Sequence, residues 1–167
     1  MNGPLSRDPI AQAREEWVSH GWEAQADAMA AITAVLRSAA IFLQRAEGIL
    51  KPHGLSFARF EVLALLGFSS RGSLPMSHAS RLLQVHATSL TNSVDRLEAK
   101  DLVRRVAHPS DGRTRLLEIT SAGRTLLEQA RADLNEQLFS DSKLSAEDSR
   151  QLFEILARLR RSSGDFL

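Results

Sequence analysis

The chain contains no cysteine in its 167 residues. Disulfide staples, thiol redox sensing and cysteine-rich zinc sites are therefore excluded. A glycine-rich phosphate loop, a nucleophile elbow and an HExxH zinc pattern are also missing. His20, His53, His78, His86 and His108 are scattered over different segments, and no carboxylate pair recurs with metal-ligand spacing. Neither enzymatic activity nor a cofactor is expected. No uninterrupted apolar run reaches ~18 residues, and MNGPLSRDPIAQAREEW carries no charged-then-apolar signal pattern. No membrane partner is expected, and the expected compartment is the cytoplasm. A large charge of one sign is absent too, since 21 Lys and Arg oppose 20 Asp and Glu for a net charge of +1.

What is present is an ordinary soluble composition, 43% hydrophobic and 25% charged, long enough for one domain or a small domain with long interface helices. The charge is unevenly spread. Between Arg71 and Arg115, the basic residues Arg71, Arg81, Arg96, Lys100, Arg104, Arg105, Arg113 and Arg115 face only Asp95, Glu98, Asp101 and Asp111. This local excess is the footprint of a DNA reader and implies salt-sensitive binding.

The stretch from Ser77 to Thr120 reads as a short helix, a tight turn, a longer helix and a basic hairpin. Ser77 is the expected N-cap of the first helix, with Ala79, Leu82 and Leu83 as its buried face. Gln84-Val85-His86 forms the turn. A second helix starts near Ala87, with Leu90, Val94 and Leu97 on its inner side. Its other side carries Thr88, Ser89, Thr91 and Asn92, small uncharged groups that approach base edges and phosphates closely. Leu102–Val106 and Arg115–Ile119 are the expected strands, joined through the tight-turn pair Asp111-Gly112, with Arg113 at the tip and His108 across from it. A helix-turn-helix followed by a basic hairpin is a two-groove reader of double-stranded DNA. The expected DNA contacts are Ser77, His86, Thr88, Ser89, Thr91, Asn92, Arg96, Asp111, Arg113 and Arg115.

Around this stretch lie helices. Asp8-Pro9 opens one to about Ser19, stopped by His20-Gly21. A long helix spans about Glu23 to Leu50, with Met29, Ile32, Leu36, Ala39, Leu43, Ala46 and Leu50 stepping by three and four. Ser56 caps the next, in which Phe57, Phe60, Leu63, Ala64 and Leu65 or Leu66 pack inward. Leu74-Pro75-Met76 is an expected edge strand beside the hairpin. Thr120–Gly123 opens a helix to about Phe139, and Ser145 opens a last one burying Leu152, Phe153, Leu156 and Leu159. The end stripes exceed what one chain can cover, so pairing of two copies is expected, which also suits a pseudo-palindromic site.

The run LLQVHATSLTNSVDRLEAKDLVRRVAHPSDGRTRLLEITSAGR resembles the winged helix-turn-helix of the MarR (multiple antibiotic resistance regulator) family. Its most specific part is Asp111-Gly112-Arg113 followed by Leu116-Leu117-Glu118-Ile119-Thr120-Ser121-Ala122-Gly123. That matches the family's Asp-x-Arg wing, a strand, then Leu/Ile-Thr-x-x-Gly. The resemblance runs from the Glu23–Leu50 helix to the C-terminus. It implies a mainly α fold with a small β-hairpin wing, in which a winged helix-turn-helix (55–120) joins a helical dimerisation domain built from 1–54 and 121–167. It also implies a homodimeric transcriptional regulator, usually a repressor, released from DNA by a small ligand. The wing arginine that enters the minor groove falls on Arg113, and the aspartate that holds the wing's shape falls on Asp111.

The extra N-terminal helix is similar to the branch of this family that includes urate-responsive regulators. The branch's ligand-cleft tryptophan, acidic residue and wing-base arginine fall on Trp17, Glu61 and Arg105. Glu61 is one methylene longer than the usual aspartate, and a second arginine falls on Ser93. An aromatic or phenolic effector is the class implied. The residues themselves leave other readings open. Trp17 and Trp22 suit helix packing, Glu61 suits a solvated carboxylate, and Arg105 suits a phosphate or Glu118 across the hairpin. His86 suits an N-cap or a phosphate contact. An alternative of another class is a winged helix used for protein assembly without DNA.

Overall fold

The computed structural model describes Gly3, residues 5–107 and residues 115–167. The His108, Asp111-Gly112 and Arg113 assignments at the wing tip lie outside the described residues.

Local chemistry sets the helix boundaries. Asp8 caps α1 (Pro9–Ser19) by accepting from the Ile10 amide at 2.9 Å, with proline at the first turn. The chain reverses at Gly21, whose φ of 81° suits glycine, into α2 (Glu23–Leu50). Arg14 Nε donates to Asp27 Oδ1 at 2.6 Å, and Trp17 meets Trp22 edge-on at 5.4 Å, binding α1 to the start of α2. A 3-10 turn, Lys51–His53, ends the long helix. Helix α3 (Phe57–Phe68) is capped twice. Ser56 Oγ accepts from Arg59, and Glu47 Oε1 reaches from α2 to accept from the Phe57 amide at 2.8 Å.

Strand β1 (Ser73–Pro75) leads into α4 (Met76–Leu82) and α5 (Ala87–Glu98). Strands β2 (Val103–Ala107) and β3 (Arg115–Ile119) complete an antiparallel sheet of order β1-β3-β2, pairing Leu74 with Leu117 and Arg104 with Glu118. Helix α6 (Ser121–Leu134) runs on into a π-helical turn, Asn135–Phe139. Arg45 Nη2 donates to the carbonyls of Gln137 and Asp141 at 3.1 and 3.0 Å there, so a cation from α2 occupies the end of the helix where its backbone ladder widens. Helix α7 (Ala146–Ser162) begins with a Ser145/Asp148 capping box.

One continuous core joins these parts. Leu50, Leu63, Leu66, Leu90, Val94, Leu97, Leu117 and Leu134 are fully buried, and Leu127, Ala130 and Leu138 extend the core along α6. His53 Nε2 hydrogen-bonds Asp133 Oδ2 at 2.6 Å, tying the end of α2 to α6.

Several expectations are corrected. Helix α4 starts at Met76 with Pro75 at the cap position, so Ser77 is inside the first turn and Met76 is not in the strand. Leu82 is 52% exposed at the end of α4, whereas Ala79 is buried and Met76 packs against the core. Strand β2 starts one residue later than expected, since the Leu102 carbonyl is engaged by the Thr120 amide and hydroxyl. No residue of α7 is buried. Phe153 is 65% and Leu159 56% exposed and Leu156 is half-buried, because among the described residues little of the chain faces that stripe. The segment Glu23–His53 is also more apolar than its run lengths suggest: an 18-residue window has mean hydropathy 1.6, and 6% of it is buried. Length and composition alone would let it cross a bilayer.

Candidate nucleic-acid interface

Helix α5 is amphipathic. Leu90, Val94 and Leu97 face α3 and α4, while Thr88, Ser89, Asn92 and Arg96 face solvent and Thr91 is half-buried. The turn that aims this helix is locked from within. Ser80 Oγ donates to the Val85 carbonyl at 2.7 Å, the Val85 amide donates back to the Ser80 carbonyl at 3.1 Å, and Gln84 takes the left-handed conformation at φ 53°. His86 is the N-cap, its Nδ1 accepting from the Thr88 amide at 3.3 Å. An Nδ1 that accepts carries no proton, so the cap requires the other tautomer of the neutral ring. Ser77 is exposed on α4, and Arg115 is exposed at the start of β3.

The wing is anchored at its base. Thr120 Oγ1 donates to the Asp101 carbonyl at 2.7 Å and accepts from the Gly123 amide at 3.0 Å, capping α6. A Cβ at Gly123 would lie 2.1 Å from the Leu102 carbonyl oxygen. The Thr-x-x-Gly spacing thus has a steric cause, the close approach of α6 to the start of the wing. Arg104 Nη2 donates to Glu118 Oε1 at 2.7 Å across the ladder, which holds the Arg104 guanidinium pKa above its ordinary value.

Arg105 meets α5 rather than Glu118. Its guanidinium donates to Asp95 Oδ1 at 2.5 Å and to Glu98 Oε2, and its amide donates to Glu98 Oε1 at 3.0 Å. Partial burial would lower the guanidinium pKa, but the hydrogen bonds and charges of Asp95 and Glu98 outweigh it and raise it. Two of the arginines in the basic stretch are therefore matched by carboxylates, while Arg71, Arg81, Arg96, Lys100 and Arg115 are exposed among its described residues.

The three residues linked by resemblance to an effector stand on different elements. Glu61 lines a cavity of about 40 Å³ behind α5 with Val62, Val85, Ser89 and Ser93, and burial raises its pKa. Neither Trp17 nor Arg105 lines that cavity. A larger cavity of about 340 Å³, which sequence reasoning missed, lies between α2, the start of α3 and the π-helical turn. Ala39, Phe42, Leu43, Phe57, Leu138 and Phe139 line it. Only the apolar character of those positions could have signalled it, and that is equally the mark of a core.

Comparison with known proteins agrees with this geometry. Residues 53–114 match the model of the MarR family. The HTH-type transcriptional regulator MhqR of Bacillus subtilis is 32% identical over 118 residues, covering 68% of this chain and 78% of that protein. Across the curated relatives matched, the alignment spans between 65% and 78% of their length. Among solved structures, the MarR family transcriptional regulator Sco5413 of Streptomyces coelicolor is 43% identical with a TM-score of 0.76, covering 84% of this chain and 97% of that one. The fold also matches mutant Escherichia coli MarR complexed with operator DNA, at 22% identity and a TM-score of 0.71, covering 76% and 91%. With a relative this similar over most of its length, and the Thr-x-x-Gly anchor and two-element reading head in place, this chain belongs to the MarR family of winged-helix, DNA-binding transcriptional regulators.

Proposed function

We propose that the protein is a homodimeric repressor of a pseudo-palindromic operator, released by a small aromatic or phenolic molecule. The observation that carries this reading is the outer face of α5. It is uncharged near its start, held by a locked turn, and set beside an arginine-bearing wing. Ser77, His86, Thr88, Ser89, Thr91, Asn92, Arg96, Asp111, Arg113 and Arg115 are the proposed DNA contacts. The domain division is part of the same proposal: 55–120 reads DNA, while 1–54 and 121–167 pair the copies.

Support for pairing comes from the bare stripe of Ile32, Val35, Leu36 and Leu43 on α2 and that of Leu152, Ile155 and Leu159 on α7. Burying such surface contributes roughly 25 cal/mol per Å². The apolar cavity at Phe42, Phe57 and Phe139 suits an aromatic ring, and it touches both the long helix and the start of α3. Action on DNA carries with it a cytoplasmic location.

The test is selection of duplexes from a randomised library, followed by a salt titration of the selected duplex and sedimentation of the complex. A palindromic consensus bound by two chains, with affinity falling steeply with salt, is the expected result. An obligate monomer, or no selection at low salt, would favour the protein-assembly alternative. For the effector, Phe57→Ala should abolish ligand-induced release if the apolar cavity is used. Loss on Trp17→Phe instead would move the site to the α1–α2 corner.

A further inference from the structure

Among the described residues strand β2 has a neighbour on one side only, because the sheet order is β1-β3-β2. Its free edge is met by α5. Glu98 takes the edge amide of Arg105 with one carboxylate oxygen and the guanidinium with the other, while Asp95 takes the second arm of the same guanidinium. One arginine thus joins the wing to the last two turns of the recognition helix. Arg105 is the less exposed partner, with 27% of its side chain accessible against 55% for Asp95 and 38% for Glu98. Asp95 also shares a shallow surface depression with Asn92 and Arg96, two of the proposed DNA contacts.

We propose that Arg105 is a positioning residue for DNA binding, which with Glu98 and Asp95 fixes the angle between wing and recognition helix and touches neither DNA nor effector. This inference rests on the DNA-binding reading above. A reader of two grooves gains from both only if their separation is held, and a two-stranded edge held by one ladder swings about its base. The fork of an arginine on two carboxylates restrains direction as well as distance, which a lysine would not. The same contact neutralises Asp95 beside the phosphate backbone.

The sign of one substitution separates this role from ordinary electrostatics. Removing a carboxylate near DNA should strengthen binding if charge alone matters. With the clamp, Glu98→Gln instead weakens binding to a duplex selected by the wild-type protein, by roughly tenfold, and weakens binding to a scrambled duplex less. Arg105→Met has a similar effect, the double variant is no worse than either single one, and exchanging the charges in Arg105→Glu with Glu98→Arg restores part of the loss. Thermal melts of each variant establish that the fold is kept. The clamp is overturned if Glu98→Gln tightens binding or leaves it unchanged. It is also overturned if Arg105→Met lowers the salt slope by about one, the mark of a lost phosphate contact. Unaltered DNA affinity with loss of effector-induced release in Arg105→Met would make Arg105 an effector contact instead. If the wild-type protein binds neither duplex, the DNA-binding reading fails and the clamp falls with it.

Discussion

Phe42, Ala46, Ile49 and Leu50 near the end of α2 pack into the core, whereas Leu43 and, before it on the apolar stripe, Leu36 and Ile32 face solvent, with Ile32 62% and Leu36 66% exposed. Helix α7, in which no residue is fully buried, repeats the second condition at Phe153, Ile155 and Leu159. The lobe that carries α4, α5 and the sheet is therefore completed by its own chain, whereas the exposed stripes of α2 and α7 are left uncovered by the described residues. Stability of the first should be a property of one molecule, and order in the second a property of concentration.

Four measurements bear on that contrast. The largest effect is expected from Leu97→Ala, which opens a cavity in the closed lobe and should cost about 2–5 kcal/mol in denaturant unfolding at any protein concentration. Gly123→Ala forces a methyl group against the Leu102 carbonyl and should cost about 1–3 kcal/mol, despite alanine's better helix propensity. In the unfinished region, Leu36→Ser combined with Leu159→Ser should leave the lobe's core signals in place. It should raise the dissociation constant of the proposed dimer at least tenfold in sedimentation, about 1.4 kcal/mol or more. An unchanged constant would mean that these stripes do not meet.

The smallest effect concerns Glu61. Its folded-state pKa is raised above the ordinary carboxyl value of 4.5 by burial, so protonation favours the folded form. The corresponding stability is present below pH 4.5 and is lost as pH rises through the folded pKa. Glu61→Gln should accordingly give a slightly higher thermal midpoint than wild type at pH 7 and a flatter profile in acid. A lower midpoint at pH 7 would show that the carboxylate is stabilised by a partner.

Much of the closed lobe was legible from periodicity, since Leu90, Val94 and Leu97 mark their face by spacing alone. Asp8, Ser56 and Ser145 likewise announce helix starts, because capping is local chemistry. Contacts between distant segments were not legible. Glu47 capping α3, Arg45 at the π-helical turn and His53 against Asp133 leave no trace in the pattern of any one element. The arginine that meets Glu118 was misassigned for a related reason. The sequence left the pairing register open, and neighbouring side chains on a strand point to opposite faces, so only one of Arg104 and Arg105 can meet Glu118. Arg104 therefore pairs with Glu118, and Arg105 turns to α5. The bare stripe of α7 illustrates a different limit, because spacing identifies an apolar face without saying which molecule covers it.

In the proposed dimer the unbroken length of α2 would serve as a lever arm. Its 28 residues extend about 42 Å, from the α1 corner to a last turn set in the core of the lobe. Two such arms crossing near their bare ends would swing their far ends by roughly 4 Å for each 5° of rotation, comparable with the 3.4 Å rise of a single base-pair step. A pivot of that size at the crossing would move a pair of heads out of register with the groove, without unfolding a single turn.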